Sequence, residues 1–319
     1  LNMDTEVEGD LLVSCCGGRR MRVYLPAKRE TRPMDKTAFA VRIRGLKGGH
    51  SGADIHLQRA SANRLLGRTL YALRELTAYH LVQADGGNMD NAICREADAV
   101  ILIAPEQEGA VRNLLAELEK MFQEEYISRE TAITITMEPL QEEIQQTLTD
   151  ETRDQIIALL MLLPYGVQTM SWDMDGLVES SSNIGILKTR EEDIFIDNAV
   201  RSSVESRKEL ICQKIQEIAV LCGAKTEGVH DYPGWKYEPD SEILEIFRQT
   251  YIDLRGKEPN VQAIHAGVEC GLFSRKIEGL DMISIGPDMY DVHTPDERLS
   301  ISSTVRVWEY LKEVLKRLG

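Results

Sequence analysis

The stretch from Lys47 to Asn63 constrains the fold most, because a strand pattern runs into it and a helix pattern runs out of it. Before it, Phe39, Val41 and Ile43 alternate with Ala40, Arg42 and Arg44, the period of a half-buried strand. After it, Leu65, Leu66, Leu70, Leu73 and Leu76 recur at helical spacing. Between them Gly48, Gly49 and Gly52 allow positive φ or a close backbone approach. This turn carries His50. Residue chemistry alone leaves two readings for it. The commoner fate of a lone loop histidine is a ring satisfied by local hydrogen bonds. The other is a ligand-facing group, since loops held by rigid elements carry sites.

A chain of 319 residues exceeds one small core, so two domains are expected. A composition of 43% hydrophobic and 28% charged residues is that of a soluble globular protein. The net charge of −15 argues against nucleic acid or an anionic membrane as partner. The six cysteines lack zinc-ribbon spacing and form no disulfide framework, so reduced thiols in a cytoplasmic protein are expected. No apolar run approaches the ~20 residues that span a bilayer. The chain opens Leu1-Asn2-Met3-Asp4 in the middle of a strand-to-loop pattern. The expectation is that it is the C-terminal part of a longer protein.

The pattern along the chain divides it in three. Residues 1–35 read as part of an α/β domain, with a strand at Leu11–Val13, a turn at Gly17-Gly18 and a hinge from Lys28 to Lys36 around Pro33. Residues 36–235 read as an inserted α+β sandwich of strand, helix, strand, strand, helix, strand, long enough for the unit to occur about twice. Residues 236–319 return to α/β order, with helices from Ser241 and Glu269, strands at Val261–Ile264 and Met282–Ile285, and a last helix lined by Val305, Trp308, Leu311, Leu315 and Leu318.

Several polar residues stand where chemistry is possible. Asp4 follows a presumed strand end, the usual place for ligands in α/β sheets, although a solvated acidic loop with Glu6 and Glu8 explains it equally. In Gly286 to Glu297, Thr294, Pro295 and Glu297 have the pattern of a capped helix start, which sets His293 just before a helix. In His265-Ala266-Gly267-Val268-Glu269-Cys270-Gly271, glycines permit close approach, and Glu269 either pairs with a ligand ammonium or stabilises its own helix. Asn91 can hydrogen-bond a carbonyl or carboxylate, and the planar guanidinium of Arg201 suits a carboxylate. For both, a structural contact is the alternative.

Lys47-Gly48-Gly49-His50-Ser51-Gly52-Ala53-Asp54-Ile55-His56, followed by Arg59-Ala60-Ser61-Ala62-Asn63, resembles the lid signature of the aminoacyl-histidine dipeptidases, members of the two-zinc exopeptidases that include aminoacylases and carboxypeptidases. The resemblance extends to Leu1–Glu6, Asn91–Ala97, Val200–Ser203, His265–Gly271 and His293–Glu297, with Cys94 and Val292 where relatives carry proline. It implies a partial α/β catalytic domain with an inserted two-layer α+β lid. It implies hydrolysis of Xaa-His-type dipeptides at two divalent ions, zinc first, with cobalt or manganese as alternatives. Asp4 and His293 would be metal ligands, and His50 would stabilise the oxyanion. Asn91, Arg201, Gly267 and Glu269 would bind substrate. It also implies a homodimer formed through the lid. The family's His-x-Asp, bridging aspartate and Glu-Glu pair are not found here. The alternatives are therefore a non-catalytic dimerising or peptide-binding fragment, or a sibling aminoacylase or deacylase.

Overall fold

The computed structural model describes residues 1–141, 143–292 and 295–319. In chain order, the strands β1 (Asp10–Cys15), β2 (Gly17–Pro26), β3 (Arg29–Thr31), β4 (Thr37–Arg44) and β5 (Gly49–His50) lead to helix α1 (Ala62–Leu76). Next come β6 (His80–Gly86), β7 (Ala92–Ile93), β8 (Ala97–Ile103), α2 (Glu108–Glu125), β9 (Thr134–Pro139), β10 (Gln146–Leu148) and α3 (Asp150–Leu162). Then follow β11 (Gly166–Met170), β12 (Val178–Thr189), β13 (Asp193–Ser202), α4 (Glu205–Leu221) and β14 (Lys225–Tyr232). The last part holds α5 (Glu242–Arg255), β15 (Asn260–Ile264), α6 (Glu269–Lys276), β16 (Met289–Tyr290), β17 (Arg298–Leu299) and α7 (Ile301–Leu318).

The sandwich is one antiparallel sheet in the order β14-β2-β13-β12-β6-β8-β4-β9, with β11 also paired to β12. Helices α1 to α4 form a single layer packed with it into one apolar cluster. The expected doubling is present. Strands β4, β6, β8 and β9, with α1 and α2, form a βαββαβ unit in which the fourth, first, third and second strands lie side by side. Strands β2, β12, β13 and β14, with α3 and α4, repeat that order. The two units join where Leu187 of β12 pairs with Gly86 of β6. The first unit is thus inserted in the second.

The alternation of Met21, Val23 and Leu25, all buried in the sandwich cluster, explains why β2 belongs to this sheet. The reading of residues 1–35 as part of the α/β domain therefore does not describe β2, and Gly17-Gly18 begins a strand instead of a turn. Nor is Lys28–Lys36 a free hinge, because β3 within it pairs with β10. The chain crosses between the halves at Gly17 and Gly234. A Cβ on Gly17 would stand 2.4 Å from the Gly234 nitrogen, so these strands cross in near-backbone contact. Cys15 and Trp235 exchange backbone hydrogen bonds of 2.9 and 3.0 Å beside the crossing.

The α/β half is smaller. β1 runs parallel to β15, and the extended segment around Ser284 is held between Asn2 and Leu12 by single bridges. Leu11, Val13, Phe247, Ile283, Val307 and Tyr310 form its own core under α5 and α7. The last helix begins at Ile301, capped by Ser300, whose hydroxyl accepts from the Ser303 amide. The helix start read from Pro295 and Glu297 is therefore displaced, because Arg298–Leu299 pairs with Met289–Tyr290 as a hairpin first. Among the described residues no helix is long and apolar enough to cross a membrane.

Candidate active site

His50 ends the two-residue strand β5, which pairs with β7 so that His50 lies opposite Ala92. Gly48 and Gly49, at φ 65° and 142°, bend the chain into this position. The His50 amide donates to Asp54 Oδ2 at 2.8 Å. Its Nδ1 accepts from the Ala53 amide at 2.9 Å and the Gly52 amide at 3.3 Å. With Nδ1 committed as an acceptor, the neutral ring carries its proton on Nε2. Burial and then the nearby Arg201 charge lower the pKa of His50, against the opposing pull of Asp54. The local reading of the sequence thus describes Nδ1. One nitrogen is locally satisfied, and the other is left as a neutral donor.

Arg201 lies near the end of β13 and is only 6% exposed. Its Nη1 donates to the Tyr232 hydroxyl at 3.0 Å. Its buried Nε has no partner among the described residues. No carboxylate pairs with it among them. A buried guanidinium without a counter-charge is costly, so this position calls for an anion. Gly52 marks where the groups converge: a Cβ there would stand 2.4 Å from the His265 carbonyl oxygen and 3.1 Å from both Arg201 Nε and His50 Cε1. A cavity of about 110 Å³ adjoins them, lined by Arg20, Asp90, Arg201, His230 and Tyr232 among others.

His265 comes from the loop after β15, in the other half of the molecule. Its Nε2 lies 2.7 Å from Ser181 Oγ. Burial, then the Arg201 charge, push its pKa down to about 3. It stays neutral at ordinary pH and adds no positive charge beside Arg201. Burial also raises the Cys16 thiol to about 11. That keeps it from serving Arg201 as an anion near neutrality.

The structure brings Asn91 close to His50: the Ser51 amide donates to the Asn91 carbonyl at 2.8 Å, and Asn183 Nδ2 holds the neighbouring Ala92 carbonyl at 2.9 Å. Gly267 lies against the Tyr232 ring, where a Cβ would stand 2.8 Å from Cε2. Glu269 is placed elsewhere. It is exposed in the first turn of α6, and its Oε2 accepts from Asn2 Nδ2 at 3.3 Å. It therefore adjoins Asp4, whose amide donates to Asn2 Oδ1 at 3.1 Å. His293 lies outside the described residues. In the sequence His265 stands out only as the first residue of the glycine-containing stretch to Gly271, and Tyr232 does not stand out at all. Neither type nor spacing marks these two: Tyr232 meets Arg201 because β14 and β13 both pair with β2 at Gly18, and His265 approaches from the other half.

The described residues alone do not fit a closed metal site. They contain no group of three or more His, Cys, Asp or Glu side chains able to hold an ion, and Asp4 is an exposed single carboxylate. A catalytic zinc usually has three protein ligands.

Comparison with known proteins agrees with the fold. A peptidase dimerisation domain of the M20 type matches residues 41–130, most of the first βαββαβ unit. The cytosol non-specific dipeptidase of Escherichia coli K12 is 35% identical over 318 residues, covering 100% of this chain and 65% of that protein. The crystal structure of aminoacylhistidine dipeptidase from Vibrio alginolyticus is 34% identical and superposes with a TM-score of 0.95, over 99% of this chain and 64% of that one. The chain thus spans about two thirds of the length of these relatives. With sequence and fold matched from end to end, it belongs to the M20 peptidase family.

Proposed function

We propose that the chain forms the substrate-gripping and lid portion of a metal-dependent dipeptidase. The observation that carries this reading is Arg201, a buried guanidinium with a free Nε and no counter-ion among the described residues, beside the neutral His50. A dipeptide carboxylate would accept from Arg201, an arrangement favoured by the fork geometry and the low local dielectric. His50 Nε2–H would donate to oxygen charge developing at the scissile carbonyl, without a competing loss of its own proton. Asn91, next to the same turn, would hold the peptide carbonyl. Glu269, beside the Asp4 turn, would meet the substrate ammonium group, and Gly267 would line the pocket.

On this reading Asp4 and His293 are this chain's metal ligands. The remaining ligands and a carboxylate base come from the third of the relatives' length that the chain does not span. The ions would be two, zinc first, with cobalt or manganese as alternatives. The division into functional domains that we propose follows the crossing: residues 1–16 and 235–319 as catalytic segments, and 17–234 as lid. A homodimer through the lid and a cytoplasmic location belong to the same proposal.

The test is metal-dependent hydrolysis of an Xaa-His dipeptide against an N-acyl amino acid, together with the intact mass of the purified protein. Turnover of the dipeptide alone supports the reading, whereas turnover of the N-acyl amino acid alone points to the sibling deacylase. A second reading, a dipeptide-binding module without hydrolysis, is favoured by the lack of a three-ligand cluster among the described residues. It predicts a mass near 36.0 kDa with dipeptide binding and no metal-dependent turnover.

A further inference from the structure

We propose that Tyr232 is a positioning residue that aims Arg201 and couples that aim to the junction between the two halves. The proposal rests on the reading of Arg201 as the carboxylate grip. A guanidinium projects its donors as a rigid planar fork, so fixing one end fixes the direction of the other. The Tyr232 hydroxyl takes the Nη1 hydrogen bond at 3.0 Å, while Nε on the other side of the fork has no partner among the described residues and faces Gly52.

The phenol ring is itself clamped. A Cβ on Gly18 of β2 would stand 2.6 Å from the Tyr232 hydroxyl oxygen, and one on Gly267 would stand 2.8 Å from its Cε2. Neither glycine has positive φ, so what each supplies is space for the ring. Gly18 belongs to the sandwich and Gly267 to the loop of the α/β half, so one ring touches both. The backbone around it is pinned as well. The Tyr232 carbonyl accepts from the fully buried Lys208 at 3.0 Å, and Asp231 receives Lys208 at 2.8 Å and Arg275 of α6 at 3.1 Å. Two residues on, Gly234 crosses Gly17. Any shift of the α6 loop against the sandwich must move this ring and the guanidinium bonded to it.

The experiment measures hydrogen exchange of the Arg201 Nε–H by NMR on the full chain, assigned through Arg201→Lys. Tyr232→Phe keeps the ring and removes only the acceptor. It is expected to speed exchange at Nε about tenfold, the effect of one hydrogen bond to a charged group. Gly267→Ala keeps the hydroxyl but displaces the ring, and is expected to speed it in the same direction. Unchanged exchange in Tyr232→Phe overturns the proposal. In parallel, an Xaa-His dipeptide and its C-terminal amide are titrated by calorimetry. The wild type is expected to favour the free carboxylate at least about tenfold, and Tyr232→Phe to narrow that preference to under about threefold while still binding the amide as before. An equal preference in the two proteins also overturns it. Absence of any carboxylate preference in the wild type would instead remove the Arg201 reading, and the exchange rates would still decide whether Tyr232 orients the guanidinium.

Discussion

The apolar residues of the sandwich run into one cluster that takes in all four helices and strands from both βαββαβ units, including Val23, Leu66, Leu70, Phe122, Leu160 and Ile215. The α/β half has a smaller core, and its last helix turns a stripe of Ile301, Val305, Trp308 and Leu315 outward at 49–82% exposure. Both halves leave apolar side chains on the surface, Trp172 and Leu221 in the sandwich among them, but the sandwich has the far larger continuous core. The site groups sit where the two meet. His50 and Arg201 are held by the sandwich, while His265 and Gly267 are supplied by the half with the smaller core. Precision at the site therefore rests on the sandwich, and adjustment on the other side.

The largest effect should come from the cores themselves. Leu66→Ala empties space under a fully buried side chain of α1 and is expected to cost about 2–5 kcal/mol in denaturant unfolding. Trp308→Ala removes a larger side chain that is 57% exposed, and is expected to stay within about 0.5 kcal/mol. A cost at Trp308 as large as that at Leu66 would break the comparison, because the stripe would then be covered in solution.

The next effect concerns the site. In a metal-loaded enzyme that cleaves the dipeptide, His50→Ala is expected to lower kcat about 100- to 1000-fold, the loss of one oxyanion donor, with bound metal retained. Metal content and steady-state kinetics on the same preparation check this. A kcat within threefold of the wild type would assign His50 to its local hydrogen bonds alone.

Much of the sandwich was legible because strand alternation and helix spacing survive where elements pack on one large continuous core. Phe39-Val41-Ile43 became β4, and the leucines after Asn63 became α1. The strand β2 carries the same signal in Met21, Val23 and Leu25, masked by Arg19, Arg20 and Arg22, which pair with Glu209 of α4, Asp90 of the loop before β7 and Asp197 of β13. The start of α7 was misread because Pro295 and Glu297 imitate a helix start, while Ser300 is the cap. His50, Asn91 and Arg201 were singled out from their local motifs, and the structure brings the three close together. The Tyr232–Arg201 contact depends on β14 and β13 flanking β2 at Gly18, and the His265–Ser181 bond joins residues 84 positions apart across the two halves, so no local pattern encodes either.

A moderate effect should follow pH. Folded His265 stays neutral down to about 3, whereas the ordinary value is 6.5. As pH falls, the unfolded chain takes up the proton first, so this contribution is complete above about pH 6.5 and is lost between there and about 3. The slope is at most about 1.4 kcal/mol per pH unit. Urea midpoints at pH 7.5, 6 and 5 should decline in the wild type and flatten in His265→Asn. An equally steep decline in that variant would place the acid sensitivity elsewhere. Because His265 belongs to one half and Ser181 to the other, the loss should loosen the junction before either core.

The smallest effects would show whether the halves unfold together. Thr149 caps α3 in the sandwich by accepting from the Thr152 amide, and Ser241 caps α5 in the α/β half by accepting from Leu244. Each change to alanine is expected to cost about 1 kcal/mol. The halves keep separate apolar cores and are joined by the Cys15–Trp235 bridge, the Arg275–Asp231 ion pair, the His265–Ser181 hydrogen bond, the Tyr232–Gly267 contact and the crossing at Gly17. We therefore expect two calorimetric transitions, with the α/β half melting first. Ser241→Ala should lower only the first and Thr149→Ala only the second. If both substitutions shift a single transition by the same amount, the junction transmits stability as well as geometry. The half with the smaller core would then owe its order to the sandwich, and the adjustable side of the site would be stiffer than its core alone implies.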